Sequence, residues 1–307
     1  MMPVSVSQPA LPAWPSLRPN ELRTVRDWWR YAMTTLARHQ ACFGQGTTCA
    51  AEDAAFLVLG ALALPLGTLD PFADAALTSD ECDRLHALLE RRVRERIPTA
   101  YVLGFTELMG VRFEVDPSVL IPRSYVAELL VVDEAPWLEN PPGSVLDLCT
   151  GSGCIAVLAA RAFPQARIVA SDISADALRV AARNVRLHGL EDRIDLVQGD
   201  GLHAVTGQRF DLILCNPPYV TSASMAKLPP EFRHEPALAL AAGEDGNAFL
   251  RPFFAAVASH LNPGGVVLVD VGHNRALVEA AFPDLPFTWL ATEGAHDGVC
   301  MLREQDL

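Results

Sequence analysis

Positive charge is scarce in this chain. Its 307 residues carry 24 lysines and arginines against 37 aspartates and glutamates, a formal charge of −13. The imbalance is uneven, because residues 1–110 hold 10 basic and 12 acidic side chains and nearly balance. Beyond them there is one lysine, Lys227. Such a surface repels nucleic-acid phosphates on average, which disfavours DNA, and it suits a basic protein or a small molecule as partner. The seven cysteines (Cys42, Cys49, Cys82, Cys149, Cys154, Cys215 and Cys300) are odd in number and form no CxxC pair. That argues against a metal site and a disulfide framework, and it fits a reducing cytoplasm. No run of 18 apolar residues occurs, and the opening stretch MMPVSVSQPALPAWPSLRPN lacks a basic segment followed by an apolar core. Neither a membrane span nor an export signal is expected.

What is present is enough apolar material for a packed core, since half the residues are hydrophobic, in a length typical of about two domains. Residues 1–20 contain five prolines without periodicity and read as a flexible tail. After Asn20, taken as the N-cap, Leu22, Val25, Trp29, Ala32 and Leu36 recur at steps of three and four and predict an amphipathic helix. Residues 51–63 predict a buried helix. Thr78 to Glu81, spaced as a capping box, opens a third helix with Leu85, Leu88, Leu89 and Val93 on one face. Its last turns, ERRVRER at 90–96, read either as a contact for RNA or phosphate or as a solvated charged face.

From about residue 108 the period changes to two. VRFEV followed by DPS predicts a strand and turn of a short hairpin. Strands are then expected at 144–148, 167–171, 194–198, 210–215 and 265–270, with helices near 154–163, 175–188 and 247–261. FTWLAT and VCMLR supply two more strands that pair at one edge. Alternating strands and helices imply a mostly parallel sheet covered on both faces.

Two motifs carry chemistry. Between the first strand and helix of this region lies LDLCTGSGCIAV, whose Gly151 and Gly153 allow backbone to lie close to a ligand at a helix N-terminus. Gly151, Gly153 and Ala156 also fit a dinucleotide fingerprint, with Asp172 as its ribose carboxylate. Against that, Asp147 precedes the loop and would face the ligand, repelling a pyrophosphate but not an amine or sulfonium. The second motif ends the fourth strand as Asn216, Pro217, Pro218 and Tyr219. An amide nitrogen is a poor nucleophile because its lone pair is delocalised, so a site that alkylates it must orient it and accept its hydrogens. The Asn216 side-chain carbonyl and the Pro217 backbone carbonyl can do so, the prolines hold both acceptors stiffly, and Tyr219 offers a flat face for stacking.

Together DLCTGSGC, Asp172, Asp200 and NPPY resemble the class I S-adenosylmethionine-dependent methyltransferases. The resemblance implies that Asp147 and Thr150, Gly151, Ser152 and Gly153 hold the methionine part of S-adenosyl-L-methionine. It places Asp172 at the ribose hydroxyls, counts Ile173 among the cofactor contacts, and puts Asp200 or Gly201 near the adenine and Asn216 at both cofactor and target. NPPY is shared with adenine-N6 nucleic-acid methyltransferases, which the acidic composition disfavours. YVLG, VDPSVLIPRS and LPPEFRHEPALALAAGEDG narrow the resemblance to the protein N5-glutamine methyltransferase family. Within it they are similar to the branch acting on large-subunit ribosomal protein L-three, a basic partner; the alternative is the branch acting on the GGQ glutamine of peptide release factors. The resemblance implies an α/β fold: a seven-stranded Rossmann-like methyltransferase domain (125–307), a hairpin linker (107–124), and a helical substrate-recognition domain (21–106) after the 1–20 tail. It also implies that Arg123, Tyr219, Arg233 and Glu235 lie on the substrate side. An oxidoreductase and a non-catalytic assembly factor remain as rivals.

Overall fold

The computed structural model describes Trp14 and residues 21–131, 135–294 and 297–307. Asn20 and, apart from Trp14, the expected tail lie outside these residues. The chain divides into two compact units between Leu103 and Gly104.

The first unit is helical: α1 (Val25–Arg38), α2 (Ala50–Ala61), α3 (Ser79–Arg94) and a short α4 (Thr99–Leu103). Helix α1 starts at Thr24, four residues later than the sequence suggests. There Thr24 and Asp27 satisfy each other's backbone N–H groups as a capping box, and Thr78 with Glu81 does the same for α3. Trp28, Ala32 and Leu36 of α1 pack with Leu57 and Val58 of α2 and with Leu85, Leu89 and Val93 of α3. Each leucine or valine among them contributes about 1.5–3 kcal/mol by leaving water.

The arginine run is not wholly a solvated face: Arg91 and Arg94 are exposed, but Arg92 turns inward. Arg92 is buried, and its Nε donates to Asp53 Oδ2 at 2.9 Å while Nη2 donates to the Cys42 carbonyl at 2.8 Å. Arg94 pairs with Glu90 one turn back, and Arg96 donates to the carbonyls of His39 and Gln40. A leucine stripe alone does not reveal that one arginine at its margin turns inward to meet a buried aspartate.

The second unit opens with an antiparallel hairpin, β1 (Phe105–Leu108) and β2 (Val111–Glu114). After α5 (Tyr125–Val131) come β3 (Ser144–Leu148), α6 (Cys154–Ala162), β4 (Arg167–Asp172), α7 (Ala175–Leu187), β5 (Ile194–Gln198) and β6 (Phe210–Cys215). The chain continues through α8 (Ser222–Met225), α9 (Leu250–Ala256), β7 (Leu261–Asp270), α10 (Arg275–Ala281), β8 (Thr288–Leu290) and β9 (Val299–Arg303). Seven strands form one sheet in the order β5-β4-β3-β6-β7-β9-β8. It is parallel from β5 to β7 and antiparallel where β9 joins β7 and β8. The expected strands and the edge hairpin are all present. β7 begins earlier than expected, at Leu261, and its pairing with β6 shifts register between Phe210 and Leu212.

Apolar side chains cover both faces of the sheet. One face packs Leu212, Leu214 and Val266 with Ile155, Val157 and Leu158 of α6. The other packs Leu146, Ile213 and Val267 with Phe253, Phe254 and Val257 of the α9 region. The strand order reverses between β3 and β6, since the chain proceeds from β3 outward to β5 and returns on the opposite side. Ligands in such sheets bind beyond the strand C-termini at that reversal. Both sequence motifs sit there, one at the end of β3 and one at the end of β6.

Candidate active site

A cleft opens above the ends of β3, β4 and β6. It encloses about 1080 Å³ of unfilled space counting its mouth, within reach of a small-molecule site. Thr150, Gly151 and Ser152 line one side, Asp172, Ile173 and Asp200 another, and Asn216 with Pro218 the floor toward β6. Arg123 and Ser124 close the wall above, and the rim is apolar, with Leu238 and Phe249.

The glycine loop is held by its own backbone. The Thr150 N–H donates to the Ser171 carbonyl and the Gly153 N–H to the Thr150 carbonyl, each at 2.9 Å. The Gly151 N–H donates to Asp172 Oδ2 at 2.9 Å, tying the loop to the end of β4. Gly153 adopts φ +79°, a conformation that favours glycine, and a Cβ there would stand 3.2 Å from that of Ala181, crowding α7. Asn184 of α7, fully buried, donates from Nδ2 to the carbonyls of Ser152 and Glu114 and accepts from the Glu114 N–H at 2.7 Å. This residue, which locks the loop to β2, carries no motif and was not legible in the sequence.

Asp147 sits differently from the sequence expectation. It does not line the cleft but lies fully buried beneath the loop. Its Oδ2 accepts from Thr150 Oγ1 at 2.5 Å and from the Ala156 N–H at 2.9 Å, so it braces the turn into α6. Burial raises its pKa to about 7 despite those donors. The strand alternation explains the placement, because Asp147 shares its orientation with Val145, whose side belongs to the α6 layer. Burial likewise pushes Asp172 upward, although it lines the cleft and accepts from the Gly151 and Ser174 N–H groups. Asp200 is exposed on the cleft's edge.

Beyond Cys215 the chain leaves the sheet as Asn216–Tyr219. Asn216 lines the cleft, and its side chain makes no hydrogen bond among the described residues. Pro217 is buried, and Tyr219 lies past the cleft, against the turn that follows β7. Burial, then the negative charge of Asp270, pushes the Tyr219 hydroxyl above its ordinary pKa and keeps it protonated.

The substrate-side residues separate into two groups. Arg123 and Glu235 form a two-pronged pair, Nη1 to Oε1 at 2.5 Å and Nη2 to Oε2 at 2.8 Å. Glu235 also accepts from the Ile121 N–H at 3.0 Å, fastening the cleft wall to the end of the 3-10 turn Pro230–His234. Arg233 is exposed on that turn and donates to the Leu228 carbonyl; neither it nor Glu235 lines the cleft. Another buried carboxylate, Asp270 at the end of β7, was missed in the sequence. It accepts from Ser124 Oγ, the Tyr125 N–H and the Gly272 N–H, at 2.8–3.0 Å, and burial raises its pKa to about 6.

Known proteins match this arrangement along nearly the whole chain. Residues 130–243 match the family described as methyltransferase small domain. A ribosomal protein uL3 glutamine methyltransferase from Bordetella pertussis is 48% identical over 289 residues, covering 94% of this chain and 97% of that protein. The chain belongs to the ribosomal protein uL3 glutamine methyltransferase family. A member from Neisseria meningitidis serogroup B is 45% identical, with 94% of this chain and 95% of that protein covered. Another, from Bradyrhizobium diazoefficiens, is 43% identical, with 94% and 92% covered. This chain is therefore a methyltransferase, and the oxidoreductase alternative for its glycine loop falls away. Among the described residues no cluster of His, Cys, Asp and Glu is arranged to hold a metal ion, and no helix is long and apolar enough to cross a membrane.

Proposed function

We propose that the protein transfers a methyl group from S-adenosyl-L-methionine to a glutamine side-chain amide of ribosomal protein uL3, giving N5-methylglutamine. The observation that carries this reading is that Asn216 and Pro218 share one cleft with the glycine loop and Asp172. The protein substrate is inferred from the relatives, which are ribosomal protein uL3 glutamine methyltransferases.

The lining fits the cofactor. Thr150 to Gly153 leave room for the methionine part close to backbone, with Asp147 shaping the loop from beneath. Asp172 keeps lone pairs for ribose hydroxyls beyond those used by Gly151 and Ser174. Ile173 is 46% exposed at the cleft, an apolar surface for a flat base, and Asp200 stands at the adenine end. S-adenosylmethionine supplies the methyl group as an electrophilic sulfonium carbon.

The protein's own residues supply geometry. Asn216 accepts one amide N–H through its side-chain carbonyl, and the Pro217 carbonyl accepts the other. The two prolines hold these acceptors without reorganisation as charge develops on nitrogen. Alignment and proximity then carry most of the barrier reduction. No strong base is needed beforehand, since the methylated nitrogen sheds its proton afterwards. Arg123 and Glu235 set the cleft wall, while exposed Arg233 reaches backbone carbonyls of the incoming protein.

The test is incubation of the purified enzyme with methyl-labelled cofactor and, in parallel, purified uL3 and a peptide release factor. Label on uL3 alone is the expected result. Label on the release factor alone overturns the substrate assignment and keeps the chemistry.

A further inference from the structure

Tyr219 closes the NPPY motif, yet what fixes its position lies some fifty residues further along. The segment Asp270-Val271-Gly272-His273-Asn274 leaves β7 beside β6, and it holds Tyr219 at two places. A Cβ on Gly272 would stand 2.8 Å from Cε2 and Cζ of the Tyr219 ring and 3.0 Å from its hydroxyl. The ring therefore lies directly on glycine backbone. Asn274 Nδ2 donates to the Tyr219 carbonyl at 2.5 Å, and Gly246 crowds that same carbonyl, a Cβ there falling 2.9 Å from it.

Gly272 is in turn fixed by Asp270. Its N–H donates to Asp270 Oδ1 at 3.0 Å within a left-handed turn, φ +57°. The other carboxylate oxygen of Asp270 accepts from Ser124 Oγ and the Tyr125 N–H, at 2.9 and 2.8 Å. One buried carboxylate thus joins the cleft wall at Ser124 to the surface on which Tyr219 rests. Past the motif, Val220 is pinned to the 240–242 strip, donating to the Leu240 carbonyl and accepting from the Ala242 N–H. With ring, carbonyl and following residue all held, Tyr219 has one place to be.

We propose that the 270–274 turn is a positioning element for Tyr219, with Gly272 and Asn274 as positioning residues that align the substrate amide through the tyrosine ring. This rests on the reading of Asn216–Tyr219 as the amide site. Gly272→Ala changes no residue that lines the cofactor cleft, since neither Gly272 nor Asn274 does, but it forces the ring away. Displacement of a reacting group by about 1 Å costs up to roughly 100-fold in rate.

The experiment is a kinetic cycle on purified enzyme with uL3 as methyl acceptor: wild type, Gly272→Ala, Asn274→Ala, Tyr219→Ala, Tyr219→Phe, and Gly272→Ala combined with each tyrosine variant. Cofactor affinity is measured by calorimetry on each protein. The expected result is a fall in kcat of about 10–100-fold for Gly272→Ala, with cofactor affinity held. Adding Gly272→Ala to Tyr219→Ala costs nothing further, because no ring remains to be displaced, whereas Tyr219→Phe, which keeps a ring, remains sensitive. Multiplying losses in the Tyr219→Ala background, or an unchanged kcat in Gly272→Ala, overturns the proposal. A crystal structure of Gly272→Ala separates this claim from the functional reading. If wild-type enzyme leaves uL3 unmethylated, the substrate reading fails, and the ring's position still decides: displaced supports the positioning role, unmoved refutes it.

Discussion

At the scale of single residues, the account makes Asn216 a group acting on the substrate amide and Asp147 a group acting on the loop. Asn216→Ala is expected to lower kcat by about 100–1000-fold, the range for losing one oriented polar contact in a transition state, with a smaller loss of cofactor affinity by calorimetry. Asp147 predicts a pH effect on stability. Its folded pKa of about 7 exceeds the unfolded value near 4, so the folded state holds the proton more tightly. The stabilisation is fully present below pH ~4 and is lost as pH rises to about 7, at up to about 1.4 kcal/mol per pH unit. Asp147→Asn, which cannot ionise, should flatten that part of the denaturant-measured stability profile; an unaltered slope would show that Asp147 is not the titrating group. The sequence singled out both residues but not which way Asp147 turns. A DxxTG spacing fixes which face of the strand the carboxylate occupies only once the strand's neighbours are known.

Elements behave as units because buried ion pairs join them. Glu235 is wholly buried in its side chain while Arg123 is 22% exposed, so their removal is unequal. Arg123→Ala strands a carboxylate in a dry site and should destabilise by about 3–5 kcal/mol. Glu235→Gln keeps an acceptor for the Ile121 N–H and leaves a partly wet guanidinium, so it should cost clearly less. Urea unfolding orders the two variants; the reverse order would contradict the clamp. In the helical unit Arg92 and Asp53 are 2% and 4% exposed, and Arg92→Ala should cost a similar 3–5 kcal/mol or so. These pairs also mark where sequence reading stops. Strand positions followed from runs such as SVLDL and FDLILC, since a period of two and glycine boundaries are local properties. Glu235 meeting Arg123, Asp270 meeting Ser124, and Asn184 meeting Glu114 span 112, 146 and 70 residues. No local pattern encodes such meetings; the fold creates them.

Over the whole molecule, the acidic surface and the strand-order reversal combine. The sheet order places the glycine loop and NPPY side by side, and the chain's net charge of −13 is of the sign that would attract a basic substrate protein. If attraction of that kind contributes, the KM for uL3 should rise with added salt, as a Debye length of about 8 Å at physiological ionic strength shortens, while the KM for the cofactor stays flat. Equal salt sensitivity in both would argue against steering by charge. The architecture was readable from alternation alone, and the family from its motifs; the brace beneath the loop and the turn behind Tyr219 needed coordinates. The most direct test of the central claim is tandem mass spectrometry of purified uL3 after incubation with the enzyme and S-adenosylmethionine. One methyl group on a glutamine side-chain nitrogen is predicted, formed at an initial rate about 100-fold or more lower when Asn216→Ala replaces the wild type. A methyl group on any other residue type, or an undiminished initial rate with Asn216→Ala, would contradict it.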